Sequence, residues 1–275
     1  MKKLIFVILG FFIMSAFTTP INEESLNNLK NALQESKQEQ DGLDLELFQA
    51  VARGDIGEVE ALLAEGANPN ARMDWGKNED FPVIFLAISK KNPAIVKVLS
   101  SKGSDVNIEY EEETPLFFTI NNTKYNQEDL NANEIVRNLL RFGKPKADIY
   151  KVYDFESFSG TILTLAVQKR QFKIIDTLLL RGSGKLADMQ SPSNGYTALM
   201  YAIDEHDLKL VNSLLLYKFD LRVRDNEDRN AVKVAQDNID ELTERLKENP
   251  NDNNLKETLK QAKLIKQALQ RDLAR

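Results

Sequence analysis

The string TPLFFTI at residues 114–120 decides the fold of this chain, because variants of it recur along the 275 residues. The other five are LELFQAV (45–51), PVIFLAI (82–88), TILTLAV (161–167), TALMYAI (197–203) and NAVKVAQ (230–236). Their third positions are 47, 84, 116, 163, 199 and 232, so neighbouring strings begin 32 to 47 residues apart. Intervals around 33 residues are typical of stacked repeat proteins, and we predict such an architecture.

Each unit contains a second apolar stripe, which predicts a pair of helices. Six mostly polar residues separate the two stripes in four units, as between Ile88 and Ile95 and between Ile203 and Leu210. Two stripes of about two turns joined by a short connection indicate an antiparallel helix pair. Helices this short are marginal alone, so each pair needs neighbours that cover its apolar face.

Glycines follow the second stripe in four units, at Gly66, Gly103, Gly143 and Gly182. We predict that they end the second helices in the left-handed conformation, which glycine adopts without steric cost. The alternative to a repeat fold is a helical bundle with chance self-similarity, and such a bundle gives no reason for glycines to recur at the same place.

Residues 44–236 resemble ankyrin repeats, through the TPL of TPLFFTI and exits such as SDVNI at 104–108. The resemblance implies an all-α, ankyrin-type solenoid of about five to six helix-turn-helix repeats, with hairpin loops and a C-terminal capping helix. The sixth unit lacks a clear second stripe after Gln236. The family's motif histidine is absent, being replaced by Phe48, Phe85, Phe117, Thr164, Met200 and Lys233.

The two ends of the chain differ from the repeats, which we place at 44–248. Lys2 and Lys3 precede an apolar run at 4–14, so residues 1–19 are predicted to be a bacterial signal peptide, with a retained anchor as the alternative. The protein is therefore expected in the periplasm or secreted, and no cysteine is present for a lipid anchor. Residues 20–43 are a polar linker or a cap helix. Residues 249–275 form an amphipathic helix that either caps the repeats or docks on a partner or membrane through its basic face.

Catalytic chemistry has little support in the sequence. The chain has no cysteine and one histidine, His206, which lies in a predicted connection between helices and is interpreted as a solvated loop residue. We therefore predict no catalytic residue, metal site, cofactor or small-molecule substrate. Residues 182–185 (GSGK) are interpreted as a helix exit rather than a phosphate loop. A formal net charge of -6 argues against binding to nucleic acid.

Two irregular segments are candidates for partner binding. The connection at 121–134 holds fourteen residues instead of six, and aromatic residues crowd the stretch 144–160. Insertions in solenoids often lie on the binding face, and aromatic side chains often anchor partners. The alternative is that the aromatic residues only pad an irregular turn. The predicted partner-binding residues are Trp75, Tyr110, Tyr125, Tyr150, Tyr153, Phe155 and Tyr196.

These observations predict a non-enzymatic protein–protein interaction module that is exported to the periplasm and binds one protein partner. The resemblance implies binding through the concave face and the hairpin loops. Such a module could act as an immunity or accessory protein. The alternatives are a secreted host-directed protein, an envelope-tethered scaffold, or a hydrolase that uses carboxylates or His206 in the insertions.

Overall fold

The computed structural model describes residues 23–155 and 157–274, which form twelve helices and four short strands. The helices are α1 (Glu23–Arg53), α2 (Ile56–Glu65), α3 (Val83–Ser89), α4 (Pro93–Ser101), α5 (Pro115–Asn121), α6 (Leu130–Phe142), α7 (Ile162–Gln168), α8 (Phe172–Ala187), α9 (Ala198–Asp204), α10 (Leu208–Leu214), α11 (Ala231–Glu248) and α12 (Asn253–Leu273). The strands are β1 (Arg72–Trp75), β2 (Asn78–Pro82), β3 (Val152–Phe155) and β4 (Phe158–Thr161), paired as the antiparallel hairpins β1–β2 and β3–β4.

The helices form two rows. The first-helix row consists of the end of α1 followed by α3, α5, α7, α9 and α11, each packed on the next. In the second-helix row α2, α4, α6 and α8 pack in the same order, and α10 packs on α12. One continuous apolar core lies between the two rows, which confirms the predicted solenoid of stacked helix pairs.

Side-chain caps explain where these short helices begin. Thr114, Thr161 and Thr197 precede α5, α7 and α9, and each side-chain oxygen accepts a hydrogen bond from the backbone N–H three residues later at 3.2–3.3 Å. Asp55, Asn92, Asp129 and Asp207 cap second helices in the same way. A cap of this kind contributes about 0.5–2 kcal/mol, which is a large share of the stability of a seven-residue helix.

The four predicted glycine exits divide into two kinds. Gly66 and Gly103 have φ values of 117° and 103°, as predicted. The prediction is wrong for Gly143, whose φ is -58°, and for Gly182, which lies inside α8, so residues 182–185 are helical rather than an exit. A Cβ atom on Gly143 would overlap Val106, and one on Gly182 would lie 2.6 Å from Leu186 Cβ. These two glycines therefore serve close packing.

Side chains of Asp and Asn link the turns of successive repeats. Three such bonds link successive turns, with a backbone N–H donating to a side-chain oxygen at 2.6–2.8 Å: Asp105 to Asn70, Asp148 to Asn107 and Asp220 to Asp188. A similar bond of 2.7 Å runs from Asn68 N–H to the side chain of Asp44 in α1. This ladder of side-chain to backbone bonds fixes the spacing of the hairpin turns along the first-helix row.

The ends of the described chain are helical. From Glu23 onward, the segment predicted as a linker or cap helix is part of α1, whereas the predicted signal peptide lies outside the described residues. At the other end, α11 and α12 pack together around Leu242, Leu259 and Ala262. Among the described helices, none is both long and apolar enough to span a bilayer.

Candidate functional site

The turns and first helices present a row of aromatic side chains on one side of the solenoid, which we call the first-helix face. These side chains are partly buried and pack against the core. The row consists of Trp75, Tyr110, Phe118, Phe155, Phe158 and Tyr201. Aromatic side chains held in this way offer a large contact area with little conformational freedom left to lose.

Ring contacts with first-helix side chains hold the N-terminal half of the row in place. The ring centroid of Trp75 lies 6.0 Å from that of Phe48. The rings of Tyr110 and Phe118 lie 5.7 and 5.0 Å from the ring of Phe85. Since Phe48 and Phe85 are fully buried, this half of the row is anchored to the core.

A cavity interrupts the row between the third and fourth repeats. Its volume is about 400 Å³, and it lies between the turn at 110–113 and hairpin β3–β4. Glu113 lines it and accepts a hydrogen bond of 2.9 Å from Asn121 Nδ2. Burial raises the pKa of Glu113, and the nearby Glu111 raises it further, against the opposing effects of Asn121 and Lys169. The cavity therefore concentrates negative charge beside aromatic rings.

Two of the predicted binding residues belong to the core. Tyr153 is 1 % exposed, and its hydroxyl is 2.7 Å from Thr114 Oγ1 in the preceding repeat. Tyr196 is also buried, and its hydroxyl accepts a hydrogen bond from Arg229 Nη2 at 3.2 Å. The structure thus corrects the prediction for Tyr153 and Tyr196, because side chains this deep cannot reach a partner while the repeats stay folded. For Tyr153 the alternative of structural padding is the better description.

The other predicted residues reach solvent, but not all on the same face. Trp75, Tyr110 and Phe155 belong to the aromatic row. Tyr125 is 56 % exposed in the long connection between α5 and α6, where the Arg170 guanidinium lies 5.2 Å from its ring centroid. Tyr150 is 36 % exposed and donates a hydrogen bond to Gly182 O. Partner binding by these five residues stays a prediction.

Sequence reasoning missed Phe118 and Tyr201 as candidates for this face. They occupy the fifth position of their strings, where the other units have Gln49, Leu86, Leu165 and Val234. Because this position is apolar in five of the six strings, and Leu86, Leu165 and Val234 are buried, comparing the strings gives no signal that Phe118 and Tyr201 reach the surface.

The described residues give little support for catalysis. Among them no group of three or more His, Asp or Glu side chains is placed to hold a metal ion. His206 has a φ of 53° in the connection between α9 and α10, and its Nδ1 atom is buried with no hydrogen-bond partner among the described residues. It is therefore a partly buried connection residue rather than the solvated one that the sequence suggested.

Comparisons with known proteins identify ankyrin repeats in part of this chain. A family model described as ankyrin repeats, in three copies, matches residues 123–225. A curated relative, the mitochondrial disaggregase of Bos taurus, is 27 % identical over 195 residues, which are 70 % of this chain. The chain matches only 26 % of the length of that relative.

Solved structures show the same fold at low identity. The ankyrin repeat domain of Bcl-3, a member of the IkappaB family, has a TM-score of 0.56 at 20 % identity, over 69 % of this chain and 78 % of that one. An ankyrin repeat domain from Acinetobacter baumannii has a TM-score of 0.55 at 19 % identity, over 80 % and 96 % of the two chains. A chain from the structure of a predatory endopeptidase of Bdellovibrio bacteriovorus in complex with an immunity protein has a TM-score of 0.52 at 22 % identity, over 70 % and 91 %.

Proposed function

Because residues 123–225 match the ankyrin repeat model and the described chain is a solenoid of stacked helix pairs, we propose that it is a non-catalytic, exported module that binds one protein partner through its first-helix face. Fold likeness alone supports protein binding in general. The choice of face, the single partner and the export are parts of the proposal.

The aromatic row is the observation that carries the choice of face. Six partly exposed aromatic side chains on one side of a solenoid leave apolar surface in water that a partner would cover. Aromatic side chains are enriched among the residues that dominate binding energy. Their packing on buried rings means that little side-chain freedom is lost on binding.

The export part of the proposal rests on the N-terminal sequence. Two lysines followed by an apolar run at 4–14 resemble a secretory signal, and the chain has no cysteine that would need to stay reduced. Fractionation of the producing cells tests it. We expect a soluble periplasmic or secreted form that lacks residues 1–19. A form found only in the membrane fraction with its N-terminus intact would favour the tethered scaffold instead.

Immunity is one specific form of this function. In the structural relative from Bdellovibrio bacteriovorus, an endopeptidase is in complex with an immunity protein. We propose by analogy that the partner of the present chain is an enzyme whose activity would harm the producing cell. Deletion of the gene should then make growth depend on the absence of that enzyme, and deletion of both genes should restore growth.

Site-specific photocrosslinking in the producing cell tests the choice of face. A photoreactive phenylalanine analogue replaces Phe118 or Tyr201 on the first-helix face. In matched controls it replaces Leu180 or Leu216, which are 77 % and 85 % exposed on the second-helix side. We expect one adduct of the same mass from both first-helix positions and none from the control positions.

The opposite pattern has an equally clear meaning. Adducts only from Leu180 and Leu216 would show that the second-helix side is the binding surface. A ladder of many adducts from Phe118 and Tyr201 would contradict binding to one dedicated partner.

A further inference from the structure

The cavity in the aromatic row combines two kinds of wall. The turn at 110–113 supplies carboxylates, and hairpin β3–β4 supplies aromatic rings. The first helices α5 and α7 close its floor. Its lining includes Glu111, Glu112, Glu113, Phe117, Phe155 and Phe158.

The charge of the lining is unbalanced. Three carboxylates face one lysine, Lys169, at the end of α7. Glu111 and Glu112 are exposed, whereas Glu113 is half-buried, and its negative charge is disfavoured by burial and by Glu111. A cation entering the cavity would relieve this repulsion, whereas an anion would add to it.

The aromatic wall suits a cation that carries an apolar stem. The rings of Phe155 and Phe158 each lie 5.3 Å from the buried ring of Phe117, and both line the cavity. Aromatic faces attract ammonium and guanidinium groups within about 6 Å of the ring centroid. The methylene stem of lysine or arginine also packs well on apolar surface while its charged end stays polar.

We propose that this cavity is the specificity pocket of the first-helix face and accepts a lysine or arginine side chain of the protein partner. This proposal rests on the proposed function for the identity of the ligand as part of a protein. The charged end lies among the carboxylates of the 110–113 turn, and the stem packs against Phe155 and Phe158. An acidic or uncharged apolar side chain would leave three carboxylates opposite the single lysine of the lining, Lys169.

The turn offers a variant that removes charge without harming the fold. Glu111 and Glu112 have φ values of 49° and 65°, a conformation that Asn and Gly adopt far more readily. The double change Glu111→Asn and Glu112→Gly therefore removes two negative charges and should leave thermal stability unchanged or raise it. The control is the double change Glu60→Gln and Glu134→Gln, which removes the same number of negative charges at two exposed positions of the second helices α2 and α6.

Binding is tested by nuclear magnetic resonance titration of the purified chain with Nα-acetyl-lysine amide and Nα-acetyl-arginine amide. Nα-acetyl-norleucine amide, which has an uncharged side chain, is the matched control ligand. We expect saturable shifts of the amide signals of 111–113, 155, 158 and 168 with the two cationic amides, with a Kd on the order of 1 mM. Added salt should weaken the binding.

The proposed pocket is contradicted if the norleucine amide causes equal shifts, or if neither cationic amide shifts the signals of these residues. It is also contradicted if the Glu111→Asn, Glu112→Gly variant binds the cationic amides as tightly as the unchanged chain. We expect the affinity of this variant to fall by about fivefold or more and the affinity of the Glu60→Gln, Glu134→Gln control to stay unchanged. Photocrosslinking tests the protein partner separately. If the chain binds the cationic amides but gives no photocrosslinked adduct, the pocket is supported and the proposed function is refuted.

Discussion

The junction between the first two repeats and the junction between the third and fourth are both closed by a β-hairpin carrying aromatic side chains. Hairpin β1–β2 lays Trp75 half-exposed on the ring of Phe48. Hairpin β3–β4 buries Tyr153 and joins its hydroxyl to Thr114 of the preceding repeat. Aromatic residues in a hairpin can therefore lie either in the core or partly at the surface. A tyrosine can be fully buried where the neighbouring repeat supplies a polar partner for its hydroxyl.

Strand register accounts for part of this difference. In β3–β4 the pairing is regular, and Tyr153 lies opposite Gly160, which has no side chain to compete for space. In β1–β2 the register shifts between Met73 and Trp75. A bulge of this kind re-aims the side chains that follow it.

The largest expected effect comes from removing the buried ring at the junction of the third and fourth repeats. Tyr153→Ala should lower the free energy of unfolding by about 3–5 kcal/mol, because it leaves a cavity between two repeats. Tyr125→Ala, at the exposed tyrosine of the neighbouring connection, should lower it by less than about 1 kcal/mol. Urea titration of both variants measures the difference. Equal effects would mean that Tyr153 is not a core residue.

A smaller effect is expected from Gly143, which packs against Val106 at the junction of the second and third repeats. Gly143→Ala should lower stability by about 1–3 kcal/mol, because the new Cβ atom overlaps Val106 and lies 2.9 Å from Leu139 O. Gly42→Ala is the control, since Gly42 lies in α1 with open space around it and should gain about 0.5–1 kcal/mol. Chemical unfolding of the two variants should thus shift in opposite directions. A stabilising Gly143→Ala would refute the close packing.

Gly66 and Gly103, which follow the second helices of the first two repeats, have a conformational role that differs from the packing role of Gly143. A Cβ atom at Gly66 or Gly103 would meet no heavy atom within 4 Å, but both residues have positive φ. Gly66→Ala and Gly103→Ala should each lower stability by about 1–2 kcal/mol through backbone strain alone. Replacement by Asn, which tolerates this conformation better, should recover part of the loss, whereas Gly143→Asn should not. Thermal unfolding of the set separates strain from overlap.

The smallest effect isolates the bond between repeats. Tyr153→Phe keeps the ring and removes the hydroxyl, so stability should fall by about 1 kcal/mol as Thr114 loses a partner. Tyr217→Phe is the control, because the Tyr217 hydroxyl bonds the exposed Asp176 and its loss should change stability by less than about 0.5 kcal/mol. Calorimetry of the two variants gives the ordering. A silent Tyr153→Phe would mean that ring packing alone holds this junction.

The repeat architecture could be predicted because it depends on local and periodic signals. The strings recur at intervals of 32 to 47 residues, and each capping threonine lies next to the helix that it caps. Within one helix pair, the spacing of residues in the sequence determines which of them share a face. The exits at Gly66 and Gly103 followed from the same rule. The family histidine could be seen to be missing, and Phe48, Phe85 and Phe117 do fill its place in the first three repeats as buried rings.

The binding surface could be predicted only in part, because burial depends on contacts between repeats. The sequence shows that Tyr153 lies in an aromatic segment, but not that Thr114, 39 residues earlier, meets its hydroxyl. Likewise, close contact with Val106 explains Gly143, and nothing near Gly143 in sequence indicates it. Nothing in the sequence indicates that the carboxylates at 111–113 lie across a cavity from the aromatic rings of β3–β4.

The Asp and Asn ladder between successive turns has a consequence for how such a chain can change length. Each rung joins a side chain of one repeat to a backbone N–H of the next, as from Asp105 N–H to Asn70 and from Asp148 N–H to Asn107. Every residue except proline supplies that N–H, so a rung places almost no demand on the identity of the residue that follows it. A unit could therefore be inserted, deleted or exchanged between Asn70 and Asn107 without a new set of matching polar side chains at the turns. Only the apolar contacts between neighbouring helix pairs would have to fit.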